Sequence, residues 1–214
     1  MFDFDGLIVD TEEPIFRVWQ RIYQEHGQEL PLEQWLKIIG GNSAAFDPRR
    51  DLGERTSEEI NKRDLDALVR LYYREATAMQ DLLPGVRRYL DEARRLGLKT
   101  AIASSSGRQW IDEHLERMGI AERFDAIVCR DDVTAIKPDP ELYLTAVHRL
   151  GVQVPEAIAL EDSTNGIRAA KAAGLLCIAV PNTMTSSMDL SQADLRLGSL
   201  DEMPLEELVK TIRR

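Results

Sequence analysis

The spacing of apolar positions changes character partway along the chain. From Glu12 to His26 they fall at Ile15, Val18, Trp19 and Ile22, one face of a 3.6-residue period, and the run stops at Gly27. This predicts an amphipathic helix and places Trp19 in a core. A shorter helix follows Pro31, with Leu32, Trp35, Leu36 and Ile39, and ends at a Gly40-Gly41 loop. Residues 42–56 are polar and basic and show no clear period. Ser57-Glu58-Glu59-Ile60 reads as a helix start, an N-cap followed by acids that complement the dipole, and the stripe Leu65, Leu68, Val69, Tyr72 and Ala76 carries that helix on. Residues 12 to about 78 thus read as a helical block without a strand.

After Leu83-Pro84-Gly85, helices and short β-rich runs take turns. A helix with Val86, Tyr89, Leu90, Ala93 and Leu96 leads to a strand at Lys99–Ser104, and one over Gln109–Met118 leads to a strand at Ala126–Cys129. Further helices are predicted near Pro140–Leu150 and Gly166–Ala173, with strands at Ala157–Leu160 and Leu176–Val180, then a short strand at Ala193–Leu197 and a closing helix at Leu205–Ile212. Such alternation is the signature of an α/β fold, a doubly wound, Rossmann-like parallel sheet. A further strand at Phe2–Asp5 belongs to that sheet, so the helical block is an insertion. The expected division is a core of residues 1–11 and 79–214 and a helical cap of residues 12–78, hinged near Asp10–Glu12 and Met79–Leu83.

At 214 residues the chain suffices for one good core and a small second domain. Its formal net charge of −10 repels polyanions, which argues against nucleic acid or an anionic membrane as partner. No apolar run is long enough to span a bilayer and nothing before Asp3 has room for a signal peptide, so a cytoplasmic protein is expected, with a monomer as the default. Little chain precedes Asp3 for a strand of ordinary length, which suggests a stunted first strand or a start further upstream. Cys129 and Cys177 lie in apolar runs and read as buried free thiols, while His26, His114 and His148 lack metal-ligand spacing and read as surface residues.

Candidate chemistry begins at Asp3-Phe4-Asp5-Gly6, two carboxylates at the end of a strand that opens into a glycine-permitted turn. Taken alone, such a motif is more often a plain turn than a catalytic site. Three pieces follow in order: Ser104 in Ser104-Ser105-Ser106-Gly107, Lys137 in Lys137-Pro138-Asp139-Pro140, and Glu161-Asp162 in Leu160-Glu161-Asp162-Ser163. Two of them have a bland local reading: Ser-Ser-Ser-Gly caps a helix, and a lysine before proline is a solvated loop residue. Four carboxylates, Asp3, Asp5, Glu161 and Asp162, cannot converge without a cation, and hard oxygen donors without His or Cys point to Mg²⁺.

The four motifs in this order resemble those of the haloacid dehalogenase superfamily, in the branch with a small helical cap that includes the beta-phosphoglucomutase-like enzymes. The resemblance covers essentially the whole chain. It implies a phosphoric monoester hydrolase with Asp3 as nucleophile and Asp5 as general acid and then base. Ser104, with the N–H groups of Ser105 and Ser106, and Lys137 would hold the phosphoryl group beside the Gly6 turn. The Asp3 carboxylate, the Asp5 carbonyl and Asp162 would bind Mg²⁺, with Glu161 close behind. The implied substrate is a small phosphorylated metabolite, for example a sugar phosphate, with selectivity around Gly40–Arg50 and after Ser106.

A phosphosugar mutase is the alternative within the branch. The resembled mutase brings a lysine and an arginine on its cap loop where this chain has Ile38-Ile39-Gly40-Gly41-Asn42-Ser43, and a histidine where this chain has Ile15; Arg49 or Arg50 is a candidate substitute. Dehalogenation needs neither Asp5 nor Asp162. From another class, a phospho-aspartate signalling or binding protein shares the aspartates, hydroxyl and Lys-Pro, but is shorter and lacks the helical insertion.

Overall fold

A computed structural model describes residues 1–40, 45–56, 62–78 and 80–212. Helices α1 (Glu12–Glu25), α2 (Leu32–Trp35), α3 (Pro48–Thr56) and α4 (Lys62–Thr77) come first. Then follow α5 (Val86–Arg95), β1 (Ala101–Ala103), α6 (Arg108–Met118), β2 (Ala126–Val128), α7 (Glu141–Leu150), β3 (Ile158–Glu161), α8 (Thr164–Ala172), β4 (Leu176–Ala179), β5 (Leu195–Arg196) and α9 (Leu205–Ile212). The fold is the Rossmann-like α/β arrangement expected from the alternation.

All the ladders between these strands are parallel: Ile102 of β1 lies opposite Ile127 of β2, Leu160 of β3 opposite Ile178 of β4, and Ile178 opposite Leu195 of β5. Phe2 joins the two halves by bridging both Ile102 and Leu160. Its N–H donates to Ala101 O at 2.8 Å, its carbonyl accepts from Ala103 at 2.9 Å, and Asp3 N–H donates to Leu160 O at 3.0 Å. The order across the sheet is therefore β2, β1, the Phe2 segment, β3, β4, β5. The first strand is shorter than the predicted Phe2–Asp5. Phe4 already turns, its carbonyl accepting from Ile8 N–H at 3.0 Å, and Gly6 N–H closes the turn on Val9 O at 2.8 Å.

Successive strand residues point to opposite faces, and the two faces differ in bulk. Ile102, Leu160 and Ile178 meet α5, α6 and α9 through Tyr89, Leu90, Ile111, Leu115 and Leu208. Ala101, Ala103, Ala159, Cys177 and Ala179 face α7 and α8 through Leu142, Tyr143, Ala146, Ile167 and Ala170. Burial on both faces is why these strands read as continuous apolar runs.

The first helices have their own apolar cluster, with Trp19, Ile22 and Tyr23 of α1, Leu52 of α3, and Leu65, Val69 and Tyr73 of α4, joined by Met184. The helix at α3 was not visible in the apolar pattern. It buries Leu52, begins with a proline suited to a first turn, and is laced by Arg50–Glu54 and Asp51–Arg55 pairs at 2.7 Å. The predicted helix start Ser57-Glu58-Glu59-Ile60, and Gly41, Asn42 and Ser43 of the predicted loop, lie outside the described residues. Ahead of that loop, Ile39 O accepts from Asn165 Nδ2 at 3.0 Å, tying the helical segment to the start of α8.

Candidate active site

In an open parallel sheet, ligands gather at the carboxyl ends of the strands where the strand order reverses. Asp3 follows Phe2 at the centre of this sheet, Ser104 follows β1, Glu161 ends β3, and Asp162 is next. Lys137 arrives from the loop before α7. Carboxylate oxygens of Asp3, Glu161 and Asp162, all buried, lie within 4.8 Å of one another. Lys137 is only 2% exposed; its Nζ donates to Asp3 Oδ1 and lies 2.7 Å from Glu161 Oε1. Tyr143 of α7 donates its hydroxyl to the same Glu161 oxygen at 2.6 Å.

Two buried carboxylates thus share the Lys137 ammonium group, and Asp162 stands beside them. Burial pushes the Asp3 carboxyl up to about 7, the Lys137 charge opposing it while Glu161 and Asp5 add to it. Asp162 is driven well above the carboxylate range by burial, then by Asp3 and Glu161. Burial works against the charge on Lys137, but Asp3 and Glu161 outweigh it and hold its pKa above the ordinary lysine value. Glu12, at the start of α1, is pushed up to about 8 by burial and then by Asp5, Asp3 and Asp10.

The Asp5 carboxylate stands apart from this group and is enclosed by donors. Its Oδ1 accepts from Thr11 Oγ1 at 2.8 Å and Trp110 Nε1 at 2.9 Å, and its Oδ2 from Ser106 Oγ at 2.5 Å and Ser104 Oγ at 3.4 Å. Ser106 N–H is engaged by Ser104 Oγ at 3.0 Å, whereas Ser105 Oγ is buried with no partner among the described residues. Gly6, at φ +81°, presses its turn against Asp162, so a Cβ there would lie 2.4 Å from Asp162 Oδ2. Asn182 Nδ2 joins the two, donating to Gly6 O and to Asp162 Oδ2, each at 2.9 Å.

Asp3, Asp5, Ser104, Ser105, Ser106 and Lys137 line a common cavity of about 240 Å³, and Thr11, Glu12, Ile15, Ile38, Gly40 and Trp110 complete its wall. The structure brings together all four predicted motifs. Sequence reasoning missed Thr11, Glu12, Trp110, Tyr143 and Asn182. Trp110 and Tyr143 sit at apolar helix positions that read as core, and only Asn182, just past the end of β4, carried a positional signal. His114 corrects the surface reading: it is 6% exposed, with Nδ1 2.8 Å from Trp110 O and its ring 4.5 Å from the indole. His26 is half-buried and His148 exposed, and both cysteines are buried free thiols.

Residues 1–180 match the family model described as haloacid dehalogenase-like hydrolase, and the chain belongs to that family. It is 44% identical over 209 residues to the Bacillus subtilis (strain 168) protein named "Putative phosphatase YhcW", covering 98% of this chain and 94% of that one. It is 28% identical over 218 residues to the "Phosphorylated carbohydrates phosphatase" of Thermotoga maritima, covering 100% and 97%. Among solved structures, beta-phosphoglucomutase from Clostridium difficile superposes with a TM-score of 0.79 over 100% of this chain and 97% of that one; at 24% identity the likeness is one of fold.

Proposed function

We propose that this hydrolase cleaves a small phosphomonoester, a sugar phosphate being the class that its carbohydrate-phosphatase relative suggests, through a phosphorylated Asp3. The observation that carries the reading is the pairing of Asp3 with Lys137 inside a cavity that also presents Ser104 and the unpartnered Ser105 hydroxyl. A phosphoryl oxygen is the kind of acceptor that the Ser105 hydroxyl lacks. Asp3 would attack phosphorus as the ester P–O bond breaks, with Lys137 and Ser104 countering charge on the phosphoryl oxygens. Asp5 would give its proton to the departing alkoxide and then take one from the water that cleaves the acyl phosphate. The Thr11, Trp110 and Ser106 donors hold Asp5 ready at the cavity wall.

The donor set fits Mg²⁺: hard oxygens only, three buried carboxylates, and a single lysine to balance them. Asp3 and Asp162, with the Asp5 carbonyl, would hold the ion, and Glu161, occupied by Lys137 and Tyr143, would sit behind them. When bound, the ion supplies positive charge beside the reacting phosphoryl group. Residues 12–78 act in this reading as a cap over the strand ends, and residues 1–11 and 79–214 as the catalytic core. Ile15, Ile38 and Gly40 on the cavity wall supply no cation for a second phosphate, which favours hydrolysis over mutase action.

The test is phosphate release from p-nitrophenyl phosphate and a panel of sugar phosphates, with and without Mg²⁺, for the natural chain and Asp3→Asn. Release that requires both Mg²⁺ and Asp3, with a phosphoprotein trapped by acid quench, is the expected result. Equal release by Asp3→Asn would refute the reading.

A further inference from the structure

A second cleft, of about 620 Å³, opens between α4 and α6. It shares Ile15 and Trp110 with the carboxylate cavity and otherwise lies beyond the indole. Its character is opposite. Five arginines line it against two carboxylates, Glu113 and Asp131, in a chain whose formal net charge is −10.

Two of those arginines are committed elsewhere, Arg108 to Asp132 at 2.8 Å and Arg117 to Gln80 O at 2.5 Å. The side chains of the other three, Arg70 and Arg74 on α4 and Arg130 after β2, make no hydrogen bond or ion pair among the described residues, although the Arg130 charge helps to lower the Asp131 carboxyl. They come from two separate elements, and the Arg130 guanidinium lies close over Gly107 at the start of α6. Both carboxylates are also engaged, Glu113 by Gln109 and Asp131 by Arg108 N–H. A solvated helix face would account for Arg70 and Arg74 alone. It does not account for Arg130, which reaches the cleft from a different element, or for the hydroxyl of Tyr73, a residue 4% exposed on the same wall, which is buried without a partner among the described residues.

We propose that this cleft is a binding site for a small soluble anion carrying two or more phosphate groups, separate from the cavity around Asp3. The planar guanidinium fork matches phosphate oxygens two at a time, which a single exposed charge does not. A cleft with an excess of positive charge on its walls concentrates such an anion even on an acidic protein. The volume falls within the ~300–1,000 Å³ of small-molecule sites. The floor is aromatic, with Trp110 ring centroids 4.6 Å from Tyr73 and 4.5 Å from His114, and offers apolar surface to the rest of the ligand. An occupant resting on Trp110 is one hydrogen bond from Asp5.

Inorganic pyrophosphate, titrated into the full chain without divalent metal and followed by tryptophan fluorescence, tests the site. A saturable change is expected, with affinity about tenfold or more weaker in the Arg70→Ala/Arg74→Ala double variant, since each charged hydrogen bond lost at a site costs of that order. Arg130→Gln, on a different element, should weaken it as well, and decides the matter should the double variant misfold. Unchanged affinity in the folded variants would place pyrophosphate in the Lys137 cavity and overturn the proposal, as would the absence of any saturable response.

Discussion

Lys137 has its hydrocarbon stem and its charge both sealed in the protein, a placement rare for lysine unless it is paired. Its partners Asp3 and Glu161 are equally enclosed, so each charge depends on the others. Lys137→Met keeps most of the volume and removes only the ammonium group. Two carboxylates would then face each other unbalanced, and a loss of about 3–5 kcal/mol is expected, the usual result of breaking a buried pair from one side. Urea unfolding checks this, and a loss below about 1 kcal/mol would show that the pair does not bear on folding. The sequence could nominate Lys137 because Lys-Pro stood third in an ordered set. It could not show Tyr143 donating to Glu161, because a tyrosine on an apolar helix face looks like any other core residue.

At the level of elements, the β1 to α7 region is fastened by one acid. Asp132 accepts from Cys129 N–H at 2.9 Å and pairs with Arg108 of α6 at 2.8 Å and Arg149 of α7 at 2.7 Å. Burial pushes its pKa upward, but bonds from Arg149 and Cys129 and the charge of Arg108 outweigh this and hold it well below the carboxylate range. Because the folded value is depressed, the stabilisation is complete above the ordinary carboxylate pKa and fades as pH falls through that range toward the folded value. Asp132→Asn should therefore unfold more easily in urea at pH 7 and lose less on acidification from pH 6 to pH 3 than the natural chain. Parallel acid limbs for the two proteins would contradict this. Neither Arg108 nor Arg149 is near Asp132 along the chain, although the helices that carry them were legible from apolar positions and their spacing. The helix at α3 was illegible for the complementary reason: with Leu52 as its buried aliphatic anchor and arginines around it, it has no stripe to read.

For the molecule as a whole, the acidic cluster is a store of unfavourable charge that a bound cation would relieve. Mg²⁺ should raise the melting temperature, by an amount that grows with the logarithm of its concentration, about 2.7 kcal/mol at a hundredfold excess over the dissociation constant. Asp162→Asn should melt higher without metal, since a strongly disfavoured charge is gone, and respond less to Mg²⁺. Calorimetry without substrate reads both effects, and an equal response of the two proteins would exclude Asp162 from the ion's site. A different consequence follows from the Phe2 segment, which lies between β1 and β3 and bridges both halves of the sheet. During synthesis these residues emerge ahead of every strand they will bond to, and their place does not exist until β3 has been made. Closing so long a loop is slow, so the middle of the sheet, and with it the nucleophile candidate Asp3, is seated late in folding. The enzyme would acquire its reacting carboxylate only once most of its scaffold is in place.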